Sequence, residues 1–253
     1  MSFLDNGIEV KKISGQVKTK CPKCSQDRKK KSDPCLSVNI DEGIWNCHNC
    51  GWHGSLKIKN NFMKEMVYKV PTNTKDSYNY SDKFLSWFLS RGISKQTLIS
   101  NRVAEGLQYM PQVNKEVTTI QFKYYRDSSL INIKYRDAAK NFKLVKDAER
   151  IMYGLDDLVG CNEAIIVEGE MDKLALYEAG YKNCVSVPNG ASNLKMEYLK
   201  DFPDNIKKVY IATDNDEPGK KLAEELSRRI GRDICYRVNY FDDCKDVNDV
   251  LIN

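Results

Sequence analysis

The chain has 253 residues, 41% hydrophobic and 30% charged, with nine cysteines and a formal net charge of +5. That is room for one to three domains; no apolar run reaches membrane-spanning length, and MSFLDNGIEVKK lacks the parts of a signal peptide, so a cytoplasmic protein with no membrane partner is expected, its cysteines serving metal rather than disulfides. Residues 1–60 carry a net +5, residues 123–146 another +5 and the remainder −5, an asymmetry that suits a polyanionic partner, with solvated surface lysines as the competing reading.

Cys21–Cys24 and Cys47–Cys50 are two Cys-x-x-Cys pairs with 22 residues between them. Each is a tight turn holding two thiolates a few ångströms apart, and two such turns complete a tetrahedral site for one Zn²⁺. CLSVNI and GIWNC read as short strands around an Asp41–Gly43 turn. Residues 1–58 are therefore expected to be a zinc ribbon, with a closed and hence structural site. Cys35 belongs to neither pair and reads as a small buried side chain. His48 and His53 are not needed as ligands. The basic run Arg28, Lys29, Lys30 and Lys31 offsets part of the thiolate charge while facing outward.

Residues 59–81 are polar and without a sustained period, and read as a linker with one short helix. Residues 82–160 follow as a mixed α/β basic subdomain. Phe84, Trp87, Phe88 and Leu89 have helical spacing, broken at Gly92, and a second helix starts at the Ser94 cap. From Thr118 the period changes to two. Ile120, Phe122 and Tyr124 alternate with polar residues, as do Ile131, Ile133 and Tyr135, around a turn at Asp127–Ser129. With the apolar sides inward, Lys134 and Arg136 share the outer face, close to Lys140 and Lys143, and such a face suits triphosphates or a nucleic-acid backbone.

Residues 161–253 alternate strand and helix. EAIIVEG, CVSVPNG, KKVYIATD and ICYRV are the strands, with helices at Met171–Ala179, Leu194–Phe202 and Pro218–Ile230. Repeated βα units imply a mainly parallel sheet with helices on both faces, and a site beyond the strands' carboxyl ends. The acids stand there. Glu168 ends the first strand, Asp214 and Asp216 follow the third, Asp172 lies one turn beyond Glu168, and Asp246 follows the last strand. Carboxylates gathered this way repel unless a cation holds them, and oxygen ligands with room for water and phosphate favour Mg²⁺ or Mn²⁺. Helix caps and solvated acids are the alternative. The overall expectation is an α+β and α/β multi-domain chain.

IIVEGEMDKLAL and IATDNDEPGKKLAEEL resemble the two signature motifs of the TOPRIM fold, the metal-binding domain of primases, topoisomerases and related nucleases. Ribbon, linker, basic sheet and TOPRIM, in that order, resemble the primase half of phage primase–helicase fusions, Twinkle and the bacterial replicative primase, over nearly the whole chain. The resemblance implies a DNA-dependent RNA polymerase that makes short primers for replication, in a bacterium or in a phage-infected one. It implies catalytic divalent ions on Glu168, Asp214 and Asp216, with Asp172 and Asp246 in support. It implies ribonucleoside triphosphates and template held by Lys134, Arg136 and Lys140 or Lys143. Single-stranded DNA would be engaged by Lys29, Lys30, Lys31 and Trp45 of the ribbon, through charge and stacking. A replicative helicase would act in cis or in trans, although no G-x-x-x-x-G-K-[ST] occurs in this chain. The template-reading histidine of the best-known phage primases is replaced by Ile44. Two other functions stay open, a DNA clamp like the recombination mediator RecR and a TOPRIM nuclease.

Overall fold

Contacts divide the chain into two units, Met1–Met66 and Val67–Asn253. The computed structural model describes residues 2–56, 68–72, 78–190, 194–241 and 244–253. The short helix expected within 59–81 lies outside them.

The first unit is a four-stranded antiparallel sheet in the order β1 (Gln16–Thr19), β2 (Leu36–Asn39), β3 (Ile44–Cys47) and β4 (His53–Ser55). The central hairpin is the expected one, turning at Asp41–Gly43 with Gly43 at φ 65°. Leu36, Val38 and Trp45 are buried with Phe3, Ile8, Leu56 and the cysteines. Gly54 faces Trp45 across the β3–β4 pair. A Cβ there would stand 2.4 Å from the indole, so only glycine lets β4 lie flat on the ring.

The second unit begins with two capped helices, α1 (Asp82–Leu89) and α2 (Lys95–Ser100), whose caps Ser81 and Ser94 accept from the amides of Phe84 and Thr97. Gly92 separates them at φ 71°. An antiparallel meander follows, in the order β5 (Ala104–Met110), β6 (Lys115–Arg126), β7 (Ser129–Arg136) and β8 (Phe142–Leu144). The turn between β6 and β7 holds Asp127 and Ser128 at φ 50° and 60°, which matches the right-handed twist of the flanking strands.

The parallel sheet has the order β10 (Cys184–Ser186), β9 (Glu163–Val167), β11 (Lys208–Ala212) and β12 (Cys235–Arg237). Its helices are α3 (Glu170–Glu178), α4 (Glu217–Ile230) and α5 (Val247–Ile252). Ile166 and Ile211 pack with Leu222 and Leu226 of α4, while their neighbours Val167 and Ala212 pack with Val247 of α5. Alternate strand residues thus bury against different helices, and both faces are covered. The first cluster also takes in Phe84, Phe88, Phe122 and Tyr124, so residues 82–160 and 161–253 share one core.

The helix expected at Leu194–Phe202 is instead a single 3-10 turn, Met196–Leu199. Lys195 at its start makes no side-chain cap bond, and Pro203 stands just beyond its end. No helix among the described residues is long and apolar enough to cross a membrane.

Candidate active site and zinc centre

In the ribbon, the Sγ atoms of Cys21, Cys24, Cys47 and Cys50 all lie within 4.8 Å of one another. Cys21–Cys50 and Cys24–Cys47 are 3.8 and 3.7 Å apart. A tetrahedron with Zn–S bonds of ~2.3 Å has edges of about 3.8 Å, so the thiols fit zinc. Cys35 is buried as expected, with its Sγ 3.8 Å from Cys24 and 3.7 Å from Cys47. The histidines turn elsewhere, His48 Nε2 to Ser37 Oγ and His53 Nδ1 to the Gly51 carbonyl.

Lys29, Lys30 and Lys31 are exposed, and Arg28 pairs with Asp33 at 2.8 Å. Trp45 does not have the place expected for a base-stacking residue. It is 6% exposed, wedged among Gly54, Phe3 and Trp52. A ribbon this small has few large apolar groups, and its hairpin tryptophan is drawn into the core.

The basic sheet is turned over relative to expectation. Register pairs Phe122 with Lys134, Tyr124 with Asn132 and Ile120 with Arg136. Partners directly opposite share a face, so Lys134 and Arg136 stand on the inner face with Phe122 and Tyr124. Ile133 and Tyr135 occupy the other face, in a small cluster with Met110. Lys134 Nζ donates to both Glu170 oxygens at 2.8 and 3.1 Å and to the Pro188 carbonyl at 3.1 Å. Tyr124 Oη donates to the same carboxylate. Arg136 lies over Trp87 and Phe142, at 5.1 and 5.8 Å. Lys143 pairs with Tyr135 and so stands on the opposite face from Lys134, where its Nζ donates to the Tyr109 carbonyl at 2.9 Å. Lys140 sits in the exposed turn at φ 62°.

The acids gather at the carboxyl edge of the parallel sheet. Glu168 directly follows β9, and Asp172 lies in the first turn of α3. Asp216 caps α4 through Oδ1 on the Gly219 amide, and Asp246 caps α5 on the Asp249 amide, each at 2.9 Å. The helix-cap reading is thus true of two of the five acids, and it does not separate them from the rest. Burial, and then the charges of Asp246, Asp214 and Glu168, push the Asp172 carboxyl well above its ordinary value. Asp214 is also raised, by burial, against the opposing pull of Lys245.

Two residues that sequence reasoning passed over shape this edge. A Cβ on Gly219 would stand 2.2 Å from the Asp214 carbonyl oxygen, so the start of α4 can approach the strand end only as glycine. Arg237, on neighbouring β12, donates to the Thr213 hydroxyl and, at 3.0 Å, to the carbonyls of Thr213 and Asp214. The spacing D-N-D-E-P-G was the available signal for Gly219; nothing local marks Arg237. Gly219→Ala is expected to displace the Asp214 backbone and lower activity by at least about tenfold, with a loss of stability of roughly 1–3 kcal/mol from overpacking. Denaturant titration and activity on that variant check it.

The raised Asp172 carboxyl has a consequence for stability. A carboxyl whose folded value lies above its unfolded value of 3.8 stabilises the fold while protonated. That contribution is complete below the unfolded value and is lost as pH rises above it. Without added divalent ions, Asp172→Asn should therefore melt higher than the parent at neutral pH, by a few degrees at about 2–4 °C per kcal/mol, and its advantage should vanish near pH 4. Thermal melts from pH 4 to 8 test this; an advantage independent of pH would assign it to packing.

A cleft of about 970 Å³ opens beside these acids. Its lining includes the acids Glu168, Asp172 and Asp214 and the cations Lys146 and Arg150. Among the described residues only the cysteines form a group of three or more ligand atoms within 4.8 Å, so the carboxylates are spaced more widely than a closed cage. Mg²⁺ suits such spacing, because it keeps several waters and is held by one or two carboxylates together with phosphates. A cation already bridges the pair that follows β11: Lys245 Nζ is 3.3 Å from Asp214 Oδ2 and 3.5 Å from Asp216 Oδ2. The donor set therefore fits a divalent ion, and Lys146 and Arg150 line the same cleft.

Residues 162–238 match the Toprim domain family. The chain is 35% identical to the primase homolog protein of Arabidopsis thaliana, over 92% of this chain and 76% of that one. It is 33% identical to the chloroplastic/mitochondrial Twinkle homolog of the same plant, over 92% of this chain but only 36% of that longer protein. The primase fragment of the bacteriophage T7 primase-helicase superposes with a TM-score of 0.52 at 22% identity, covering 92% of each chain. With the Toprim edge, the four-cysteine ribbon and a relative matched over most of both lengths, the chain belongs to the Toprim-domain primase homologues, the family of the Arabidopsis primase homolog protein.

Proposed function

We propose that this protein is a DNA-dependent RNA polymerase that makes short primers on single-stranded DNA. The observation that carries this reading is the cleft lined by the acids Glu168, Asp172 and Asp214 together with the cations Lys146 and Arg150. A nucleoside triphosphate with its divalent ion needs that pairing of charges. When bound, Mg²⁺ or Mn²⁺ would activate the attacking 3′-hydroxyl and stabilise the leaving pyrophosphate. The chain's own part is positioning. Glu168, Asp214 and Asp216 hold the ions, with Asp172 and Asp246 beside them. Lys146 and Arg150 take the phosphates. Lys134, tied to Glu170, orients the start of α3 and with it the acids on either side of Glu170, and Arg136 packs the wall behind.

Single-stranded DNA would be the template, engaged by the exposed Lys29, Lys30 and Lys31. A helicase partner, in cis or in trans, is supported by the Twinkle homolog and by the primase-helicase from which the T7 fragment comes. Incubation with single-stranded DNA, Mg²⁺ or Mn²⁺ and labelled ribonucleotides should yield short oligoribonucleotides that depend on the template. Shortened DNA without new RNA would point to the nuclease, and DNA binding with neither product to the clamp.

A further inference from the structure

Lys245 has no part in the site as read from the sequence, yet it pairs with two of its acids. Its ammonium lies 3.3 Å from Asp214 Oδ2 and 3.5 Å from Asp216 Oδ2. Its main chain is held at both ends. The amide donates to Asp249 Oδ2 at 2.9 Å, and the carbonyl accepts from the amide of Asn215, the residue between the two aspartates, at 2.8 Å. The base of the side chain is thus fixed beside the pair. The side chain itself is 58% exposed and free to swing into solvent.

We propose that Lys245 is a tethered counter-ion: its ammonium holds Asp214 and Asp216 together while the site lacks a divalent ion, and it swings out when one binds. The inference rests on the reading of these acids as a metal site. Two carboxylates two residues apart repel, and a single positive charge between them relieves that repulsion without ordering a full coordination shell. A divalent ion on the same oxygens would stand within a few ångströms of the ammonium, and the two cations exclude each other. Binding of the ion then includes breaking two ion pairs, so the lysine lowers the affinity of the site. The result is a site that keeps its shape when empty and binds its ion loosely enough to exchange it. The flexible stem and compact charge of lysine suit this displacement better than the planar fork of arginine would.

The test uses the full, zinc-loaded chain and Mn²⁺ alone, with free Mn²⁺ followed by electron paramagnetic resonance and melting temperature measured in parallel. Lys245→Gln should bind Mn²⁺ roughly three- to tenfold more tightly than the parent, the effect of removing one screened charge a few ångströms away. It should melt lower than the parent when zinc-loaded and without Mn²⁺, and match the parent at saturating Mn²⁺. Lys245→Arg, which keeps the charge, should stay close to the parent in affinity. If Asp214→Asn binds Mn²⁺ as the parent does, these acids are not the metal site and the underlying reading fails. If Asp214→Asn loses binding while Lys245→Gln binds no more tightly than the parent, the metal site stands and the counter-ion role is overturned.

Discussion

Replacing Asp214 by asparagine is expected to lower primer synthesis by roughly two to three orders of magnitude, since metal-assisted charge stabilisation is worth several kcal/mol and each ~1.4 kcal/mol is tenfold in rate. The substitution removes a charge and almost no volume. Its cost to the fold should be small, because burial already disfavours the ionised form of this carboxyl. The backbone would stay in place, since Arg237 and Gly219 hold the Asp214 main chain and not its side chain. Melting temperature without added divalent ions should equal or exceed that of the parent. Binding to single-stranded DNA should persist, because the exposed lysines of the ribbon are untouched. A folded variant with undiminished synthesis would remove these acids from the mechanism.

Loss of zinc is expected to unfold Met1–Met66 and leave Val67–Asn253 folded. The ribbon's buried side chains are few, and several are the cysteines themselves. A core in a segment this short rarely supplies more than about 3–5 kcal/mol, whereas a structural zinc contributes apparent free energies of about 10–16 kcal/mol. Cys47→Ser removes a buried ligand at the end of β3. Trp45 and Trp52 should then become exposed, red-shifting their fluorescence, while Trp87 and the helices of the second unit keep their signal. The helical circular dichroism should still melt cooperatively. Template-dependent synthesis should fall at least tenfold. A zinc-free Cys47→Ser protein with parental tryptophan fluorescence would show that the ribbon core stands alone.

Much of the molecule was legible in local pattern. The two Cys-x-x-Cys pairs specify their own geometry, because each knuckle is a turn within four residues. Ser94 announced its helix through a cap, the spacing of Phe84, Trp87 and Phe88 marked the helix before it, and the buried apolar runs marked β9 and β11. The edge holding the acids after those strands followed from topology: in a parallel sheet every strand ends at the same edge, and the pairing of β9 with β11 makes Glu168 and Asp214 neighbours there. The 3-10 turn at Met196–Leu199 was misread as a helix because apolar spacing carries no information on whether a start is capped.

What remained hidden depends on pairing between segments. The apolar residues of β6 fall at even positions and those of β7 at odd ones, and whether the two sets share a face is decided by register alone. Pairing Phe122 with Lys134 puts the two apolar sets on opposite faces, which buries Lys134 against Glu170 and Arg136 against Trp87. Lys245 and Arg237 lie more than 20 residues from the aspartates they serve, in segments with no motif of their own. The four-cysteine ribbon, the alternating strands and helices, and the identity of the acids follow from the sequence by itself, because each rests on contacts within a few residues or on a topological rule. The inward turn of the basic strand, the burial of Trp45 and the cation between Asp214 and Asp216 were decided only by tertiary structure, because each depends on which distant backbone lies opposite.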